Sequence, residues 1–181
     1  MSKKISMLLA TLMVGATFMG CGAKENAPVE DQALVEENVQ PEENVQLPAG
    51  NDSKLGVLAR EISDKVEDMP MSMELVKDDV PAFYGEEILN LVDDFGGVMP
   101  MMQTTTEITI FKVKEGKMAE VKSILEDRKK LQEQNFEQYL PDEYEIVKNS
   151  QIYENGDYIY FISAEEKNVD TIKEMIENGI K

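Results

Sequence analysis

Thr104-Thr105-Thr106-Glu107-Ile108-Thr109-Ile110-Phe111-Lys112-Val113 is the stretch on which the fold turns, together with the Lys114-Glu115-Gly116-Lys117 joint and the run from Met118 to Asn135 that follow it. The β-branched Thr, Ile and Val residues fit a pleated surface, which predicts a strand. Gly116 can take the positive φ that turns a strand sharply into a helix. Beyond it the apolar period changes to three- and four-residue steps through Met118, Val121, Ile124, Leu125 and Leu131. That spacing predicts one amphipathic helix lying across the sheet that holds the strand. Ile108 and Ile110 are expected on one face of the sheet, Phe111 and Val113 on the other, so both faces need cover.

Downstream, Leu140-Pro141-Asp142 reads as a break and Tyr144 to Tyr153 as a second strand. Asn155-Gly156 predicts a hairpin with a type I′ turn. The returning strand, Asp157 to Ser163, carries Tyr158-Ile159-Tyr160-Phe161-Ile162 without a polar break, as expected of a central strand. Asn168 is expected to cap a last helix with Val169, Ile172 and Ile176 inward and Gly179 past its end. Upstream, Ser53 is placed to cap a helix with Leu55, Leu58, Ala59, Ile62 and Val66 on one face. A second helix is expected from Glu86 to Phe95, stopped by Gly96-Gly97. The expected class is α+β: a three-stranded antiparallel sheet from a split βαβ unit, in order 1-3-2. It is ferredoxin-like without the fourth strand, with helices packed on it and two helices before it.

The chain has 181 residues, enough for one domain plus appendages. Its 36 Asp and Glu against 18 Lys and Arg repel nucleic acid and anionic lipid, so no nucleic-acid partner is expected. It has no His, the commonest general base and transition-metal ligand, and one Cys, which rules out an internal disulfide.

Residues 1–20 carry Lys3-Lys4, an uncharged apolar run from Ile5 to Met19, and Gly20 before the lone Cys21. This is the layout of a secretory signal. It resembles the signal of bacterial lipoproteins, which ends in a lipobox with Cys last, although Phe18-Met19 stands where Leu and a small residue are usual. The resemblance implies processing before Cys21, a thioether-linked diacylglycerol on its sulfur, and a membrane partner reached through that anchor. Residues 21–52 are rich in Glu, Gln, Asn, Pro and Val, with Glu-Asn-Val-Gln at Glu37 and again at Glu43, and read as a disordered acidic tether. Residues 53–181 are expected to be the α+β domain.

Met99-Pro100-Met101-Met102, Ile110 to Lys117 and Asn155-Gly156-Asp157-Tyr158 carry a second resemblance. They are similar to a family of small lipoproteins of Gram-positive anaerobes known only as a domain of unknown function. The resemblance implies surface attachment and an α+β domain, and supplies no activity, cofactor or site residue.

Three groups of side chains offer chemistry. Met69, Met71 and Met73 alternate, and Met99, Met101 and Met102 flank a second Pro, so their thioethers form a candidate Cu(I) set. Met as adaptable core filler is the competing reading. Adjacent acids such as Asp78-Asp79, Asp93-Asp94 and Asp142-Glu143 would be needed face to face for a carboxylate hydrolase, yet sequence neighbours point apart. Asp93-Asp94 offers oxygens to Ca²⁺ but lacks the alternating spacing of an EF-hand loop. Arg128, Lys129 and Lys130 form a basic spot in an acidic chain. It is a candidate anion grip, against the alternative that Arg128 lies along the core edge and pairs with an acid. No catalytic residue and no cofactor are expected. The sequence thus favours a non-enzymatic, lipid-anchored module that binds or scaffolds at the outer face of the cytoplasmic membrane, with a protein or cell-wall component as partner. A hydrolase using carboxylates and a metal-binding lipoprotein are the alternatives.

Overall fold

The computed structural model describes residues 50–101 and 103–181. Cys21, the expected signal and nearly all of the expected tether, as well as Met102, lie outside the described residues. The fold is α+β. Five strands, β1 (Ser72–Glu74), β2 (Val92–Pro100), β3 (Glu107–Val113), β4 (Gln151–Asn155) and β5 (Tyr158–Ser163), form one sheet in the order β1-β2-β3-β5-β4. Every neighbouring pair is antiparallel. Six helices accompany them among the described residues: α1 (Lys54–Lys65), α2 (Val80–Tyr84), α3 (Ile88–Leu91), α4 (Met118–Phe136), α5 (Pro141–Asn149) and α6 (Glu166–Gly179).

The expected order of the last three strands holds, with β5 between β3 and β4, but the sheet is wider than the three strands expected. The error lies at Gly96-Gly97, read as a helix stop and found inside β2. Helical spacing survives only over α3, and Val92 to Pro100 is extended. These glycines serve close approach. A Cβ on Gly96 would overlap the Leu55 carbonyl, and one on Gly97 would come within 2.8 Å of the Ile108 carbonyl oxygen. Helix α1 therefore sits directly on β2, a contact that only a missing side chain permits. The ferredoxin-like expectation also needs correction. Ile172 and Ile176 of α6 pack with Ile108 and Ile110, whereas Val121 and Leu125 of α4 pack with Phe111 and Val113. Helices α4 and α6 thus cover opposite faces, and β2 occupies the flank of β3 where the expected arrangement lacks a fourth strand.

Three further boundaries differ. Tyr144 to Asn149 is helical because Pro141 starts α5, with Asp142 and Glu143 in its first turn, where the helix dipole favours acids. The hairpin turn is Gly156-Asp157, flanked by the Asn155–Tyr158 pair, and only Gly156 has positive φ, at 64°. That is the pattern of a type II′ turn, not the expected I′. Helix α6 starts at Glu166, before Asn168, whose amide instead donates to the Glu67 carbonyl at 3.0 Å. Gly179 closes the helix, pressed against Leu58.

Other expectations match. Ser53 caps α1, its hydroxyl accepting from Gly56 N at 3.1 Å. Gly116 turns β3 into α4 at φ 76°. In β5, Ile159 to Ser163 are all buried. Helices α1 and α6 close one face of the sheet over Ile108, Ile110, Tyr160 and Ile162; α2, α3 and α4 close the other over Met99, Phe111, Ile159 and Phe161.

Candidate functional site

The apolar stripe of α4 does not continue to Leu131, which is half exposed; after Val121 and Leu125 the inward positions are Arg128 and Gln132. On β3, the alternation that points Phe111 and Val113 toward α4 points Glu107 and Thr109 the same way. A fully buried carboxylate therefore meets a guanidinium with 12% of its side chain exposed. Arg128 donates to Glu107 Oε2 through Nη2 at 2.6 Å and Nε at 3.1 Å, and Gln132 Nε2 donates to the same oxygen at 2.7 Å. Tyr84 of α2 donates its hydroxyl to Glu107 Oε1 at 2.5 Å and lies 2.5 Å from Thr109 Oγ1. The Met99 sulfur is 3.7 Å from the Tyr84 oxygen.

The electrostatics follow from this geometry. Burial, and next the Glu107 charge, push the Tyr84 phenol well above its ordinary pKa. Burial opposes the charge on Arg128, but Glu107 outweighs it and holds the guanidinium above its ordinary value. Two atoms near the pair lack a hydrogen-bond partner among the described residues: Gln132 Oε1 and Ser163 Oγ, the latter on the residue that faces Glu107 across the β3–β5 ladder.

The outer edge of this network opens on a recess of about 190 Å³ between α2 and α4, lined by Phe83, Tyr84, Ile124, Asp127, Arg128 and Leu131. The Arg128 guanidinium lies 5.2 Å from the centre of the Phe83 ring, within cation–π range. The recess thus joins an apolar wall to a cation whose charge is already matched.

The candidate residues fall as follows. Of the basic spot, Arg128 is committed to Glu107. Lys129 donates to the carbonyls of Lys148 and Ser150 at 3.1 and 2.6 Å, closing the end of α5, and Lys130 is exposed. The three do not converge on one ligand. Of the methionines, Met69 packs on the α1–α6 side of the sheet and Met99 is buried on the other side, so no single thioether cage contains both. Met73 is the cross-strand partner of Met99, while Met71, Met73 and Met101 are exposed. Among the described residues no three of His, Cys, Asp or Glu come close enough together to hold a metal ion. Glu107, the buried acid, has both oxygens occupied by Tyr84, Arg128 and Gln132.

Sequence reasoning passed over Glu107, Tyr84 and Gln132. A signal for the first existed: Glu107 is in phase with Phe111 and Val113 on its strand, just as Arg128 is in phase with Val121 on its helix. An acid and a base each at an inward position of packed elements predict one another.

A model of the family described as a domain of unknown function, DUF4358, matches residues 65–164. The chain belongs to this family. The DUF4358 match runs from the end of α1 to just past β5, so Tyr84, Met99, Glu107, Arg128, Gln132 and Ser163 all lie within it, whereas α6 lies beyond. No curated protein and no solved structure matches the chain significantly. No helix among the described residues of this DUF4358 protein is long and apolar enough to cross a membrane.

Proposed function

We propose that the protein is a lipid-anchored extracytoplasmic binding module, held to the membrane by acylated Cys21, whose DUF4358 domain engages a protein or cell-wall partner without chemistry of its own. The observation that carries the reading is the order Lys3-Lys4, uncharged Ile5 to Met19, Gly20-Cys21 at the head of a very acidic chain. Acyl chains on one sulfur contribute about 0.8 kcal/mol per buried methylene, which suffices to hold a chain that anionic headgroups repel. A binding role is supported by the recess beside the locked Arg128–Glu107 pair, whose lining joins Phe83, Ile124 and Leu131 to a single acid, Asp127.

Intact mass spectrometry of the native product tests the anchor. The expected result is a chain beginning at Cys21 and heavier by a diacylglycerol, and a Cys21→Ser variant that leaves the membrane fraction. An unmodified Cys21, or a membrane-bound serine variant, overturns the reading.

A further inference from the structure

Six large apolar side chains are exposed among the described residues, and five of them are Met71 and Met73 at β1, Met101 just after β2, Leu131 of α4 in the recess lining and Tyr139 just past α4. The first link runs through buried Met99 and Tyr84. Met73 pairs across the ladder with Met99, whose sulfur meets Tyr84, and Tyr84 lines the recess with Leu131. Gln103 donates to the Tyr139 hydroxyl at 2.6 Å, which ties the far end of α4 to the β2–β3 connection that carries Met101. Met71 alone is 70% exposed. Clustered exposed apolar groups mark a binding surface, and thioethers on flexible stems adapt to varied partners.

The surrounding charge narrows the partner. Asp127 lines the recess itself; Asp78 and Asp79 lead into α2; Asp142 and Glu143 open α5, with Glu143 accepting from Thr105 N at 2.6 Å on the connection after Met101. Against them stand exposed Lys77 and Lys130, since Arg128 is neutralised by Glu107. β1 is only three residues long, too short an edge for an added strand to gain much. Contact must come through side chains.

Resting on the binding-module reading above, we propose that this methionine-lined, acid-rimmed surface docks a basic amphipathic helix of a protein partner, with one apolar anchor entering the recess between Phe83 and Leu131. Apolar groups at helical spacing meet the thioethers, and flanking Lys and Arg meet the acids.

Calorimetry tests it, with the full lipidated chain held in phosphatidylcholine nanodiscs and empty nanodiscs as the blank. The probe is a Leu/Lys peptide of about 18 residues with apolar groups at i, i+3, i+4 and i+7; the comparison is a scrambled peptide of the same composition. Saturable single-site binding is expected for the patterned peptide, and about tenfold weaker binding for the scrambled one. Met71→Glu/Met73→Glu/Met101→Glu weakens the patterned peptide about tenfold or more, whereas Val57→Glu on α1 does not. Leu131→Glu serves as a second variant should the triple one misfold by circular dichroism. Equal binding of both peptides, undiminished binding by a folded variant, or no binding overturns the proposal. The mass of Cys21 reports on the anchor separately, so the two readings fail independently.

Discussion

Arg128 and Glu107 lie 21 positions apart in sequence and meet through two guanidinium nitrogens, with the acid fully buried and the base nearly so. Such a pair specifies how α4 seats on β3 more than it stabilises the fold, because desolvating both charges offsets most of their attraction.

Removing one partner is therefore far worse than removing both. Arg128→Met leaves the Glu107 carboxylate buried without its cation and is expected to destabilise the domain by about 3–5 kcal/mol. Glu107→Leu/Arg128→Met recovers most of that loss. Urea unfolding of the two variants and the parent decides it; a double variant as unstable as the single one refutes the argument.

Tyr84 gives the domain an alkaline sensitivity. Its phenol has a raised pKa in the folded state, so the folded chain retains a proton that the unfolded chain loses. The stabilisation is complete below the ordinary tyrosine pKa of about 10 and declines as pH rises from there toward the folded value. Tyr84→Phe is expected to lose about 1.5–3 kcal/mol at neutral pH, with its bond to the carboxylate, and to show a shallower fall above about pH 10. Melting curves of parent and variant across that window make the comparison, and parallel pH profiles exclude Tyr84 as the source.

Gly96 is the glycine whose replacement does most harm. Gly96→Ala drives a methyl into the Leu55 carbonyl, which belongs to helical backbone and cannot rotate away, so a loss of about 3 kcal/mol or more is expected. Gly116→Ala meets open space and bears only the strain of its φ of 76°, about 1–2 kcal/mol. Chemical denaturation that ranks Gly116→Ala as the more harmful contradicts the close packing of α1 on β2.

Ser163→Ala reports on the buried hydroxyl opposite Glu107. An Oγ without a partner contributes no bond that the change can remove, so the variant is expected within about 0.5 kcal/mol of the parent or somewhat more stable. A loss above about 1 kcal/mol in urea denaturation reveals a hydrogen bond at that oxygen.

Residues whose local preference and tertiary surroundings agree were legible in the sequence. Ser53, Gly116 and the unbroken Tyr158 to Ile162 run each fixed a boundary or a burial pattern correctly, because capping, turning and two-sided burial leave local marks. Gly96-Gly97 was misread because a glycine kept for the approach of a distant backbone looks the same as one that ends a helix. Tyr144, Ile146 and Val147 are residues that strands favour, yet Pro141 and two acids start a helix there. The buried network stayed hidden for another reason: Glu107 is one acid among 36, and only the partner brought by α4 distinguishes it from a solvated neighbour. On the basic spot, the sequence left two readings open, and the geometry favours the pairing of Arg128 with an acid over an anion grip.

Ile110 and Phe111 are chain neighbours, yet one belongs to the cluster under α1 and α6 and the other to the cluster under α4. Peptide links of this kind, here and at Val98-Met99 and Ile159-Tyr160, join two separately packed halves, and neither can loosen its grip on the sheet without disturbing the other. Heat should melt both halves in one transition, and whatever binds beside Phe83 should tighten amide protection as far away as Ile176.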